Sequence, residues 1–272
     1  MIDVVIMCGG RGTRLKPATE TQPKSLLQVG DRPMIDHLIG HFLGYGCRRF
    51  VMCLGYRAEA IRAHFQARAG SSPVVRSDRA VQMAVADGVP FTVVLADTGL
   101  DTPTGGRLKR AEPYIGSDSF IVAYGDVLSD VDLTELHGFH TRQRRLATVT
   151  AARPTSPFGH LVMGDDDAVS AFLEKPKLNE WVNIGFAVLE RRVLHRLSVN
   201  SPQLEAGLLP EVAAEGQLSA FRHHGMFEPM DSYADYTRLN EMCRRGELDL
   251  FKGPTVTAGQ QWQPSSAGLR GA

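Results

Sequence analysis

Two hydrophobic periods alternate along most of this chain. Val4-Val5-Ile6-Met7 is a continuous apolar, partly β-branched run, which predicts a strand over 2–8 buried on both faces. Over 33–45 the apolar positions Met34, Ile35, Leu38, Ile39 and Phe42 recur at helical spacing and predict an amphipathic helix. The same reading gives strands at 49–54, 91–97, 119–124 and 146–153, and helices at 58–65, 107–114 and 133–143. Such alternation predicts an α/β fold, a mostly parallel sheet flanked by helices.

After residue 156 the texture changes. "FGHLVMGDDDAVSAFLEKPK" reads as a hairpin turning at 164–167, and "WVNIGFAVLE" as one further strand. These predict a small antiparallel substrate-covering layer inserted into the main sheet. From about Phe251 the chain is rich in Gly, Pro, Ser and Gln. The expected organisation is therefore one domain over 1–250 and a mobile tail over 251–272.

The chain has 272 residues, 43% of them hydrophobic, enough for one large core. Its 30 Lys and Arg balance 30 Asp and Glu, which argues against a broad nucleic-acid or membrane surface and leaves room for a local basic cleft. The first residues run straight into a strand, with no basic region or small-residue cleavage site, and no apolar run approaches the roughly 20 residues that span a bilayer. Cys8, Cys47, Cys53 and Cys243 lack metal-type spacing and read as reduced thiols. Together these predict a cytoplasmic protein.

The candidate chemistry gathers where strands end, which is where open α/β sheets bind ligands. Behind the first strand stand Gly9, Gly10 and Gly12, with Arg11, Arg14, Lys16 and Lys24 around them. Glycines let backbone N–H groups approach a ligand and the basic residues suit its charge, so the stretch reads as a phosphate cradle. It matches neither a Walker loop, since Lys24-Ser25 follows Pro23, nor the dinucleotide fingerprint, since Leu15 stands where the third glycine belongs. Asp126 follows the apolar run 121–124 and one glycine; a carboxylate at the mouth of a buried strand needs hydrogen bonds or a cation. Metal ligation is preferred over an N-cap, for which Ser129 or Asp130 is better placed. Magnesium would then need a partner carboxylate, and Asp231 is the candidate, with an N-cap role left open for it beside Asp235. Lys24, behind Pro23, and Lys175, before Pro176, read as phosphate ligands, and Thr104-Gly105-Gly106-Arg107 reads as an anion site at a helix start. His137 and His140 lack a third ligand and read as surface or packed residues. His223-His224 reads as an exposed strand end, and Asp165–Asp167 as a turn. No serine-nucleophile elbow or zinc-protease motif is present.

Taken together, "GGRGTRLKPAT" and "QPKSLLQVGDRPMIDHL" resemble the signature of the sugar-1-phosphate nucleotidylyltransferases. "LADTGLDTPTGGRLKR", "YGDVLSDVDL" and "FLEKPK" resemble the glucose-1-phosphate cytidylyltransferase branch. The likeness runs from residue 2 to about 245. It implies a Rossmann-like nucleotidyltransferase domain that joins an NTP, CTP on the branch resemblance, to a sugar 1-phosphate with release of pyrophosphate, and a homo-oligomer. By resemblance Cys8, Gly9, Gly10, Arg11, Gly12, Thr13 and Arg14 hold the nucleotide with Thr104, Gly105 and Arg107. Lys24 faces the α-phosphate, Asp126 and Asp231 hold Mg²⁺, and Glu174, Lys175 and Asn183 hold the sugar phosphate. Val127, Ile184 and His160 depart from the branch pattern in the sugar half of the site. The rivals are a guanylyl- or adenylyltransferase, a catalytically silent regulatory homologue, and an NAD-type dehydrogenase, which the missing third glycine speaks against.

Overall fold

The computed structural model describes residues 2–68, 80–86 and 89–248. In chain order its strands and helices are β1 (Asp3–Met7), β2 (Gln28–Val29), β3 (Arg32–Pro33), α1 (Met34–Gly44), β4 (Arg49–Leu54), α2 (Ala58–Arg68), β5 (Ala80–Ala86), β6 (Val89–Asp97), α3 (Thr104–Ala111), β7 (Ser119–Tyr124) and β8 (Val127–Ser129). There follow α4 (Leu133–Gln143), β9 (Ala147–Ala152), β10 (His160–Met163), β11 (Val169–Leu173), β12 (Val182–Asn183), β13 (Ala187–Glu190), α5 (Leu208–Ala214), β14 (Leu218–Arg222), β15 (Phe227–Pro229) and α6 (Tyr233–Arg244). The expected tail over 251–272 lies outside the described residues.

The main sheet runs β12-β9-β13-β7-β1-β4-β6-β5, with β14 also paired to β9. It is parallel through its centre, where β1 lies between β4 and β7. Antiparallel strands flank it: β13 pairs with β7 and β5 with β6. The apolar run of β1 is buried on both faces because each face meets a different core. Val4 and Ile6 pack in one cluster with Leu38, Ile39 and Phe42 of α1, whereas Val5 and Met7 pack with Leu108 and Ala111 of α3. Strand order reverses at β1, since β4 and β6 lie to one side and β7 to the other. The crevice beyond the carboxyl ends of β1 and β7 is therefore the switch point where α/β sheets take ligands.

Several expectations are corrected in detail. "WVNIGFAVLE" is two strands rather than one. Gly185 and Phe186 both have positive φ, 82° and 51°, and the Tyr124 ring sits where a Gly185 side chain would be. The helix expected at 107–114 begins at Thr104 and tightens to a 3₁₀ turn at Glu112–Tyr114. His223 is buried, with Nε2 beside Asp130 Oδ1 at 3.0 Å, so it is no exposed strand end. The stretch from Leu208 to Arg244, given no elements above, holds α5, β14, β15 and α6. The hairpin expected around 164–167 is present as β10 and β11, antiparallel and exposed along nearly its whole length.

Candidate active site

A cleft of about 200 Å³ opens at the switch point, lined by Met7, Cys8, Gly10, Gly12, Thr13, Arg14, Lys24, Ser25, Gly125, Asp126 and Asp231. Its parts come from three places in the chain. The glycine loop leaves β1, and Pro23 leads into a 3₁₀ turn at Lys24–Leu26. Gly125 and Asp126 leave β7, and Asp231 comes from far along the sequence. The ribbon of β8 and β15 closes that distance: Pro229 pairs with Val127, and the Met230 N–H donates to the Asp126 carbonyl at 2.9 Å.

At the centre of the cleft Lys24 Nζ donates to Asp126 Oδ2 and to Asp231 Oδ1, each at 2.7 Å. Lys24 is only 13% exposed, so the ammonium is held on the wall of the cleft and is not a solvated surface charge. Arg14 adds a second cation 3.8 Å from Asp231. Neither carboxylate is spent on a helix. The N-cap of α4 is Asp132, which accepts from the Glu135 N–H at 2.8 Å, and not Ser129 or Asp130. The N-cap of α6 is Ser232, which forms a capping box with Asp235. Asp235 also accepts the Asp231 N–H at 3.1 Å, which fixes the backbone that carries the Asp231 carboxylate.

The glycines of the loop serve different ends. A side chain on Gly9 would lie 2.1 Å from the Arg107 guanidinium. Gly12 has φ 60°, and its carbonyl accepts the Thr19 hydroxyl at 2.9 Å. A Gly10 side chain would meet nothing within 4 Å, so this residue presents bare backbone to the cleft. Thr13 starts the turn that carries Arg14, while Arg11 reaches away to Asp101 at 2.9 Å.

Two expected parts of the nucleotide site are placed elsewhere. Arg107 is buried beneath the loop and does not line the cleft. Its guanidinium donates to the carbonyls of Leu54 (3.0 Å), Gly9 (3.1 Å) and Leu100 (3.0 Å) and to Thr98 Oγ1 (2.8 Å). A planar five-donor fork suits that set of acceptors, and burial pulls its pKa below the usual arginine value. Thr104 and Gly105 are likewise spent on packing. The Gly105 N–H donates to the Pro202 carbonyl at 3.0 Å and Thr104 Oγ1 accepts the Leu204 N–H at 2.9 Å. A side chain on Gly105 would stand 2.2 Å from the Pro202 oxygen. The start of α3 is a close-packing surface for the 199–204 segment, not an open anion site.

The residues expected on the sugar phosphate are not among those lining the cleft. Glu174 and Lys175 follow β11, both exposed, 3.8 Å apart, with Lys175 at φ 46°. Asn183 lies in β12, where its Oδ1 accepts the Gly185 N–H at 3.2 Å. Cys8 does line the cleft, but its thiol donates to the Cys53 carbonyl at 3.4 Å and burial pushes its pKa well up, so it is no nucleophile.

Three residues escaped the sequence reading. Ser25 lines the cleft beside Lys24 with a buried hydroxyl that has no hydrogen-bond partner among the described residues. Tyr124 closes the end of β7 and donates its hydroxyl to Glu205, and burial beside that carboxylate raises its pKa. Adjacency to Lys24 and to Gly125-Asp126 was the available signal for Ser25 and Tyr124. Nothing local marks Glu205.

Comparison with known proteins bears on the family and the fold. The nucleotidyl transferase family pattern matches residues 3–219. A probable glucose-1-phosphate cytidylyltransferase of Bacillus subtilis (strain 168) is 33% identical over 249 residues, covering 89% of this chain and 96% of that protein. The glucose-1-phosphate cytidylyltransferase of Salmonella typhi is 32% identical over 248 residues, with the same shares covered. Among solved structures, HddC from Yersinia pseudotuberculosis superposes with a TM-score of 0.65 at 23% identity, over 89% of this chain and 100% of its own. That structure shares the fold. With a matched pattern spanning most of the sheet and a cation-bearing glycine loop at its switch point, this chain belongs to the nucleotidyl transferase family.

Proposed function

We propose that this protein transfers a nucleotidyl group from an NTP, CTP by preference, to a sugar 1-phosphate, glucose 1-phosphate or a close analogue, and releases pyrophosphate. One observation carries the reading: Lys24, Asp126 and Asp231 converge on the open side of the glycine loop at the switch point of the sheet. The preference for CTP and glucose 1-phosphate rests on the likeness to two glucose-1-phosphate cytidylyltransferases. The four free cysteines suit a reducing, cytoplasmic setting.

Asp126 and Asp231 already share one positive charge, the Lys24 ammonium. Two hard carboxylates so placed fit Mg²⁺, which takes one or two of them and completes its shell with phosphate oxygens and water. No group of three or more His, Cys, Asp or Glu able to hold a metal exists among the described residues, so a cation needing an all-protein cage does not fit. When bound, Mg²⁺ would neutralise phosphate charge and orient the phosphates.

The rest of the chemistry belongs to the chain. The bare backbone at Gly10 and Gly12, with Thr13 and Arg14, receives the triphosphate, and Lys24 offsets charge that builds at the α-phosphate. An oxygen of the sugar phosphate attacks the α-phosphorus in line. Its new P–O bond forms as the bond to the bridging oxygen of the β-phosphate breaks, and pyrophosphate leaves with that electron pair. Positioning and charge neutralisation suffice, without a protein nucleophile. Glu174, Lys175 and Asn183 are assigned to the sugar phosphate by resemblance.

The test is pyrophosphate release from CTP, UTP, GTP and ATP, each against a panel of sugar 1-phosphates. CTP with glucose 1-phosphate or a near analogue is expected to be fastest. Folded Asp126→Asn should lose roughly 10²–10³-fold in kcat/KM. Faster use of GTP or ATP would overturn the base assignment and leave the transfer reaction standing. No release with any pair would instead favour a silent regulatory homologue.

A further inference from the structure

Buried serines and threonines among the described residues are hydrogen-bonded, with one exception. Thr19, Thr98, Ser129 and Thr150 each donate to a backbone carbonyl at 2.6–2.9 Å. Thr148 and Ser156 meet a histidine ring nitrogen at 2.8 and 2.9 Å, and Ser219 accepts from Arg145 at 3.3 Å. Ser25, only 3% exposed, has no partner among the described residues, and its oxygen is shut off from water as well. Asp36, Arg49 and His137 also carry a buried unbonded atom, but each is bonded through another, whereas Ser25 has a single polar side-chain atom. A buried donor left unmade costs free energy that alanine at the same position would avoid. The hydroxyl therefore destabilises the empty protein, and nothing within the chain explains it.

Its place says what completes it. Ser25 stands on the 3₁₀ turn behind Pro23, next to Lys24, and lines the cleft. A side chain on Gly125 would lie 3.5 Å from the Ser25 Cβ and 3.3 Å from the Cys8 Cβ, so the serine backs the wall where β1 and β7 end. The Cys8 thiol beside it already donates to the Cys53 carbonyl. That wall belongs to the glycine-loop half of the site: Gly10, Gly12, Thr13 and Arg14 line the same cleft, while Glu174, Lys175 and Asn183 do not. We propose that Ser25 is a nucleotide-binding residue whose hydroxyl turns about χ1, from one staggered position to another, and donates to an oxygen of the bound nucleotide. Serine makes such a turn at little cost. One donor is thus held unmade until the ligand arrives, which favours the occupied cleft over the empty one. The inference rests on the reading of the cleft as a nucleotide site.

Wild type and Ser25→Ala are compared by thermal unfolding and by calorimetric titration with CTP, UTP, GTP and ATP in Mg²⁺, the tightest binder serving as probe. Without nucleotide, Ser25→Ala should melt roughly 2–4 °C above wild type, because the orphaned donor is gone. Its dissociation constant for the probe nucleotide should nevertheless rise roughly five- to tenfold. The KM for glucose 1-phosphate at saturating nucleotide should stay within about twofold of wild type. A higher melting point with unchanged nucleotide affinity would overturn the proposal, since the hydroxyl would then be idle. So would a lower melting point, which would mean that it is bonded inside the protein, or a loss confined to the sugar phosphate KM. If wild type binds a nucleotide and yet releases pyrophosphate with no substrate pair, the transfer reading fails while these titrations still judge Ser25. Wild type that binds none of the four nucleotides would overturn both.

Discussion

Arg107 holds the glycine loop from beneath, and it shows how a sequence signal for charge can mean scaffolding. Its guanidinium ties the end of β4 through Leu54, the glycine loop through Gly9 and the segment after β6 through Thr98 and Leu100. Each acceptor left bare in the interior costs free energy, and a buried arginine leaves several at once. Arg107→Ala is therefore expected to lower unfolding stability by about 3 kcal/mol, read from urea unfolding. Arg107→Lys should recover little of it, because one ammonium cannot span the same acceptors. A loss within about 1 kcal/mol for the alanine variant would show that the four contacts do not hold the loop.

At the scale of elements, the start of α6 fixes the backbone that carries the Asp231 carboxylate. Ser232 caps α6 and Asp132 caps α4 in the same way, each accepting a backbone N–H three residues on. Ser232→Ala and Asp132→Ala should thus each cost about 1 kcal/mol of stability. Their effects on activity should differ. Asp231 stands next to Ser232 and shares the Asp235 carboxylate with it, so loosening that cap frees the backbone of a cleft residue. Turnover should fall roughly tenfold in Ser232→Ala and stay near wild type in Asp132→Ala. Equal activity in the two variants would separate the α6 cap from the site.

For the whole molecule, buried histidines set the response to acid. Burial, with His140 nearby, pushes His137 down to about 4, and burial also lowers His37 and His140. In the unfolded chain these side chains take up protons near pH 6.5, before the folded protein does. The unfolded state then binds more protons, so stability is held above about pH 6.5 and falls as pH drops toward about 4. Urea midpoints should decline through that window, and a flat profile between about pH 7 and pH 5 would contradict it. No helix among the described residues is long and apolar enough to cross a membrane.

The sequence alone determined the strand-helix alternation, because a strand buried on both faces must be apolar throughout, as Val4 to Met7 are, and α1 must carry its apolar stripe. It also marked Lys24 behind Pro23 and Asp126 behind Gly125 at a strand end, and named Asp231 as the partner carboxylate that magnesium would need. It could not tell which charges face the cleft. Arg107 and Lys24 both follow backbone-shaping residues, and only the tertiary structure put one beneath the loop and the other between two carboxylates. The break at Gly185 also lay beyond local reading, because it depends on where the Tyr124 ring packs. So did the meeting of Asp126 with Asp231, which the β8 and β15 ribbon brings about through long-range hydrogen bonds that no local periodicity records.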